Sequence, residues 1–161
     1  MRRRVKQAGL VLIVLFTVAQ LVRPDRANPT TTPNHTIQAH LGSTSSVVPI
    51  LSRSCDNCHS YATQWDWYTQ IAPLSWTMAY AVHHGRKAMN LSEWTAYSAD
   101  QQRSLFALSC ADARAGKMPG AYTAFNHAAR LTAQDIETIC AASRQYEAKA
   151  LPDSQPSRSI R

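Results

Sequence analysis

Residues 54–68 read SCDNCHSYATQWDWY and contain two of the four cysteines in a chain of 161 residues. Cys55 and Cys58 enclose two residues, and His59 follows at once. The spacing C-x-x-C-H is typical of covalent haem attachment, because two thiols so placed reach two porphyrin vinyl groups and the adjacent imidazole lies where it can ligate iron. The pattern therefore predicts one haem c per chain, attached at Cys55 and Cys58, with His59 as the proximal iron ligand.

Three other uses of such a motif need separate consideration. A four-cysteine zinc site would require Cys110 and Cys140 as its second pair, yet these are 30 residues apart rather than in a knuckle. A thioredoxin-like dithiol would follow a strand in a βαβ unit, and no strand pattern precedes Cys55. Haem attachment is favoured, with zinc, a disulfide and a redox dithiol as the remaining alternatives.

The basic charge of the chain is concentrated at its N-terminus. The formal net charge is +7, and residues 1–34 carry six basic groups and one acid, while residues 35–150 are close to neutral. Nucleic-acid binding needs clustered Lys and Arg on the folded part of a protein. We therefore expect no nucleic-acid partner.

The N-terminal sequence is typical of an export signal. The basic run MRRRVK precedes a mostly apolar segment over residues 8–22, which is short for a membrane helix and long for a cleaved signal. Both readings keep the basic end inside and carry the rest of the chain outward. We expect a single-pass inner-membrane anchor with the remaining chain in the periplasm, or a periplasmic protein if the signal is cleaved.

Composition divides the chain into four parts. We expect a signal anchor or signal peptide over residues 1–23, a flexible Pro/Thr/Ser-rich linker over 24–46, a folded domain over 47–149 and a disordered tail over 150–161.

Helix signals dominate the folded part. Pro49 suits the first turn of a helix over 47–54, and Pro73 opens a helix to about Lys87. Ser98-x-x-Gln101 and Thr132-x-x-Asp135 are capping patterns for two further helices, the first ending at Gly116. No segment alternates as a strand. The predicted fold class is all-α, a small cytochrome c-like helical domain.

Cys110 and Cys140 fall on the apolar stripes of the last two predicted helices. In an oxidising compartment a disulfide between them would stabilise a small core. The alternative is a pair of buried free thiols, which pack as small apolar side chains.

A second axial ligand is expected on an iron that carries electrons. Met118 lies in the Gly/Pro-bounded loop AGKMPGAY, where Pro119 restricts its backbone, and a thioether ligand stabilises ferrous iron. We predict Met118 as the sixth ligand, with His127 as the alternative. The other residues of suitable chemistry are Met78, Met89, His83 and His84.

The remaining parts of a haem pocket are a cation for the propionates and an apolar wall. Arg86 is the best candidate for the propionates, and Trp65, Trp67 and Trp76 are expected to wall the ring. Trp94 is expected to be an ordinary core residue.

The chain resembles the bacterial haem-binding domain family of cytochrome c type. The resemblance rests on VRPDRANP, CDNCHSYATQWDWYTQIAPLSW, GRKAMNLSEW and GKMPGAYTAFNHAARLT, which together span roughly residues 20–146. It implies covalent haem, export, a retained N-terminal anchor, a Met-Pro loop and a cysteine on either side of that loop. The adjacent His83 and His84 depart from the family pattern.

These features predict a membrane-anchored mono-haem c-type cytochrome that passes single electrons to redox partner proteins and is not an enzyme. Two alternatives are a peroxidase-type haem enzyme, with His127 as its acid–base group, and a haem-based gas or redox sensor. Both need a labile sixth ligand.

Overall fold

The computed structural model describes residues 1–42 and 44–150. Within these ranges the chain forms seven α-helices connected by 3₁₀ turns and loops, with no β-strand. The helices are α1 (Arg2–Ala19), α2 (Ile37–Leu41), α3 (Val48–Ser54), α4 (Asp56–His59), α5 (Leu74–Ala88), α6 (Ala99–Arg114) and α7 (Ala133–Ala150). The 3₁₀ turns are Pro33–His35, Trp67–Gln70, Leu91–Ala96, Gly120–Ala124 and His127–Ala129. The all-α fold class is confirmed.

The helices begin where their capping signals lie. Pro49 stands in the first turn of α3, where its missing N–H is not needed. Ser98 and Gln101 form a full capping box at the start of α6. The hydroxyl oxygen of Thr132 accepts from the backbone N–H of Asp135, and the Asp135 carboxylate accepts from the backbone N–H of Thr132, so this pair begins α7. Local sequence therefore fixes the starts of these helices.

The core lies where α6 and α7 pack against α2, α3 and the Leu91–Ala96 turn. Trp94 is completely buried, as expected for a core residue, and its ring meets that of Phe106 edge to face with centroids 5.3 Å apart. Cys110 on α6 and Cys140 on α7 are joined by a disulfide, with their Cα atoms 4.8 Å apart. The disulfide holds the two longest helices of the core together.

The prediction of a flexible linker over residues 24–46 is wrong for much of that segment. Thr36 caps α2 by accepting from the backbone N–H of Ala39, and Ile37 is only 1% exposed within the core. Because Ile37 is as deeply buried as any aliphatic core residue, the folded unit begins well before residue 47.

Helix α1 buries none of its side chains against the rest of the described chain. Among residues 1–42 and 44–150, no helix has the combined length and hydropathy that a membrane crossing requires. The tail expected over 150–161 lies, apart from Ala150, outside the described residues.

Candidate cofactor cleft

The motif cysteines lie at the junction of two short helices. Helix α3 ends at Ser54, the backbone bends at Cys55, and α4 begins at once. The carbonyl of Cys55 accepts from the backbone N–H groups of Cys58, at 3.1 Å, and His59, at 3.0 Å. This single turn brings Cys55, Cys58 and His59 to the edge of the same cleft.

The imidazole of His59 is oriented by one hydrogen bond. Its Nδ1 lies 3.0 Å from the carbonyl oxygen of Met89, just beyond the end of α5. A carbonyl can only accept, so Nδ1 carries the proton and donates, and Nε2 keeps its lone pair. A metal-ligating histidine is fixed in the same way, with its second nitrogen bonded to an acceptor. His59 is therefore prepared for ligation through Nε2.

Helix α5 approaches the motif closely at Gly85. A Cβ built on Gly85 would lie 2.5 Å from the carbonyl oxygen of Cys58 and 3.0 Å from its carbonyl carbon. Real Cβ atoms do not make such contacts, so only glycine allows this separation of α5 from α4.

Neither motif thiol is in a disulfide, and burial favours the neutral form of both. Burial is the main cause that raises the pKa of Cys55 to about 12, and burial also raises the pKa of Cys58 above its usual value. A raised pKa keeps the nucleophilic thiolate form scarce, so the two sulfurs are little reactive in the absence of a bound group.

The cleft is predominantly apolar and opens to solvent. Its cavity volume is about 180 Å³. Its apolar lining comes from α3, α5, α6, α7 and the loops that flank them: Leu51, Ala88, Met89, Leu105, Leu108, Ala113, Leu131 and Ile139. Polar groups on the lining are few: Ser54, Ser109, Asp112 and Tyr122.

Met118 borders the same cleft from the loop after α6. The helix ends with Gly116 at a φ of +67°, and the backbone N–H of Lys117 returns to the carbonyl of Asp112 at 2.9 Å. The N–H of Gly116 bonds to the carbonyl of Ala113, which completes a Schellman ending that a glycine permits. The side chain of Met118 is 50% exposed at the cleft mouth.

Of the other candidate sixth ligands, the three histidines and Met78 do not line this cleft in the described chain. His127 is exposed in its 3₁₀ turn and does not line the cleft, and Met78 is buried on α5. His83 and His84 are exposed on α5, where His84 stacks on Tyr80 with ring centroids 3.8 Å apart. Only Met89 joins Met118 on the lining.

The three tryptophans expected to wall the cleft lie elsewhere. None of them is on its lining, and Trp67 is 76% exposed. The indole N–H of Trp76 donates to the carbonyl of Val22 at 2.8 Å, so this ring packs on the N-terminal segment. Trp65 is half-buried away from the lining. Aliphatic side chains form the wall instead.

Arg86 has a different role from the expected one. Its guanidinium donates to the carbonyl of Ser60 and to three further oxygens of this chain, and Arg86 is not on the cleft lining. Because these bonds engage all three nitrogens, the structure does not support the propionate assignment.

Sequence patterns missed two parts of the site. Leu105 and Leu108 line the cleft from α6, beside the core residues Phe106 and Cys110, and the helical spacing of three residues between these leucines could have indicated a second apolar face. The sequence could not predict that the carbonyl of Met89 bonds to His59, because every residue offers the same backbone acceptor.

A zinc site is not compatible with the cysteine arrangement. Cys110 and Cys140 are committed to their disulfide and cannot complete a four-thiolate site with Cys55 and Cys58. Within the part of the chain that the structure describes, no three or more His, Cys, Asp or Glu side chains are grouped to hold a metal ion. The donors at the cleft are two thiols, one imidazole and thioethers.

Residues 14–145 match the family model described as the haem-binding domain. The match covers most of the chain. The chain belongs to the haem-binding domain family. Searches of curated proteins and of solved structures give no match.

The cleft fits the haem that this family binds. The apolar lining suits a porphyrin ring, His59 offers a free Nε2, and Met118 and Met89 offer thioethers at the same cleft. Haem is therefore the cofactor of this domain.

Proposed function

We propose that this chain is a mono-haem c-type cytochrome that transfers single electrons. The observation that carries the proposal is the placement of His59, with Nδ1 bonded to the carbonyl of Met89, on the same cleft as two free thiols and Met118. Haem, when bound, supplies an iron that cycles between the ferric and ferrous states.

The residues of the chain hold and tune that group. Cys55 and Cys58 would hold the haem through its two vinyl groups, each thiol giving its sulfur to one vinyl carbon and its hydrogen to the other, so that no external oxidant or reductant would be needed. His59 would bind the iron through Nε2, and Met118 would bind it through its thioether. Since the thioether favours ferrous iron, Met118 raises the reduction potential relative to a second histidine.

The spectrum of the oxidised protein tests Met118. The haem-loaded full chain should contain low-spin ferric iron with the weak far-red band of methionine coordination, and Met118→Ala should remove that band. Met89→Ala is the matched control, because Met89 is the other thioether on the lining. A band that persists in Met118→Ala, or disappears only in Met89→Ala, contradicts the assignment.

One observation favours a second candidate, a haem enzyme or sensor with a labile sixth ligand. Met118 is half exposed, and the Asp112 carboxylate borders the same cleft, 3.5 Å from the ammonium of Lys117. An acid–base group beside a displaceable ligand suits peroxide or gas chemistry. High-spin ferric iron in the native protein would favour this candidate over an electron carrier.

We also propose export, with the N-terminal segment either kept as an anchor or cleaved as a signal, and with the haem domain in the periplasm beside its redox partners. The support is the basic run at residues 2–6 ahead of an apolar segment whose side chains are exposed along α1. Cell fractionation with carbonate extraction tests it: an anchored chain stays in the membrane pellet, and a cleaved one is released with the periplasm and lacks the N-terminal residues.

A further inference from the structure

Residues 20–28, called the strap below, leave α1 and dock on the domain instead of forming a tether. The side-chain amide of Gln20 accepts from the backbone N–H of Ala72 at 2.9 Å and donates to its carbonyl at 3.4 Å. The carbonyl of Val22 accepts from Trp76, and Arg26 donates to the side chain of Gln70. The first part of the strap is therefore held by the segment from Gln70 to Trp76.

The last part of the strap meets the segment that follows the C-x-x-C-H motif. The side-chain amide of Asn28 donates to the carbonyl of Thr63 at 2.7 Å. Arg86 donates through Nη1 to the carbonyl of Ala27 at 2.9 Å and through Nη2 to Oδ1 of Asn28 at 2.8 Å. One guanidinium on α5 thus holds the end of the strap.

The same guanidinium also donates hydrogen bonds to the segment that follows the C-x-x-C-H motif. Its Nε donates to the carbonyl of Ser60, directly after His59, at 2.8 Å, and Nη2 donates to Oγ1 of Thr63 at 3.0 Å. The hydroxyl of Thr63 in turn donates to the carbonyl of Asn57, between the two motif cysteines, at 2.8 Å. The hydroxyl of Ser60 donates to the carbonyl of Asp56 at 2.7 Å. A continuous hydrogen-bonded chain therefore runs from the strap through Arg86 into α4.

We propose that Arg86 is a positioning residue that couples the docked strap to α4, so that the strap holds the C-x-x-C-H motif in the geometry that receives haem. The inference needs only that the chain binds haem at this motif, and it stands whether or not the domain carries electrons. The inference assigns the strap to the haem-binding unit itself, although the composition of the strap resembles that of a linker.

The coupling is tested on the full chain without haem. Asn28→Ala removes the bond to Thr63 and one acceptor of Arg86, and it replaces no residue of α4 or α5. Cys55 and Cys58 should then react with iodoacetamide about five- to tenfold faster, the factor expected when roughly one net hydrogen bond is lost. Asn34→Ala is the matched control, because Asn34 is exposed in the Pro33–His35 turn and should leave the rate unchanged.

Two readouts separate positioning from a general loss of stability. Amide hydrogen exchange in Asn28→Ala should rise in α4 and stay unchanged in α6 and α7, which the disulfide joins; a merely structural role would raise exchange in all three. Asn28→Asp retains an oxygen that accepts from Arg86 and should restore part of the protection.

The double variant tests the route through Arg86. Arg86→Lys removes most of the guanidinium bonds, and adding Asn28→Ala to it should raise the alkylation rate little further, because the strap then has lost its connection to α4. Arg114→Lys, on the exposed face of α6, is the matched arginine control. Three results would overturn the proposal. The first is an alkylation rate in Asn28→Ala equal to that of the wild type, and the second is an equal rise of amide exchange in α4 and α7. The third is a double variant whose increase in alkylation rate equals the product of the increases in the two single variants.

Discussion

Replacing Gly85 by alanine tests the close packing of α5 on the haem motif. The new Cβ would lie 2.5 Å from the carbonyl oxygen of Cys58, whereas ordinary contact begins at 3.4 Å, so one helix must move by up to about 0.9 Å. Because the atom it meets belongs to the backbone, no side-chain rotation relieves the contact. Overpacking of this kind costs about 1–3 kcal/mol.

A second effect acts in the opposite direction. Alanine has a higher helix propensity than glycine by about 1 kcal/mol in a helix interior. The expected net result for Gly85→Ala is a loss of about 1 kcal/mol in the free energy of unfolding. The displaced α4 should also lower the yield of covalent haem, since both thiols and His59 shift with it.

The assay combines urea unfolding of the chain without haem and haem staining of the matured chain after denaturing electrophoresis. Gly9→Ala is the matched control, because Gly9 is also helical and has no neighbour within 4 Å of an added Cβ. It should leave the stability of the domain and the haem yield unchanged. A Gly85→Ala chain that is more stable than the wild type and fully loaded with haem would refute the packing argument.

Two further predictions concern the α6–α7 pair and its junction with α3. Replacing both Cys110 and Cys140 by alanine should lower the free energy of unfolding by about 3–4 kcal/mol, the chain-entropy value for a separation of 30 residues; a loss below about 1 kcal/mol in urea titrations would disprove that role. Asp135 accepts from the backbone N–H of Thr132 and pairs with Arg53 at 2.8 Å, and its bond to that N–H is the leading cause that lowers its pKa. Because the folded-state pKa is lowered, this stabilisation is present above the ordinary value of 3.8 and is lost as the pH falls through the lower folded-state value. Thermal melts should therefore show a smaller acid-induced decrease in Asp135→Asn than in the wild type, and equal decreases would contradict the assignment.

Short-range signals predicted the helices well because their causes are local. The capping box of Ser98 and Gln101 and the proline in the first turn of α3 need only neighbouring residues to act. The same is true of the turn that brings Cys55, Cys58 and His59 together. Met118 lines the cleft because Gly116 ends α6 just before it, and its role as an iron ligand stays a prediction.

Contacts between residues far apart in the sequence could not be predicted from such local patterns. Ile37 and Leu41 are isolated aliphatic residues within a polar, proline-rich stretch, and the burial of Ile37 depends on contacts with the core, including α6. Arg86 has the right charge for a propionate, but four oxygens from residues 27–63 surround its guanidinium. Trp67 and Trp76 are aromatic residues near the motif in sequence that the fold directs away from the cleft. Composition identifies which chemistry is present and does not determine which side chains meet.

Acid–organic extraction of the purified full chain tests covalent haem most directly. Haem should remain with the wild-type protein after extraction, and the intact mass should exceed that of the chain by one haem. Replacing both Cys55 and Cys58 by alanine should release all of it, while replacing Cys110 and Cys140 should leave the attachment chemistry intact. Complete release of haem from the wild type, or retention by the Cys55→Ala and Cys58→Ala double variant, would contradict a c-type cytochrome.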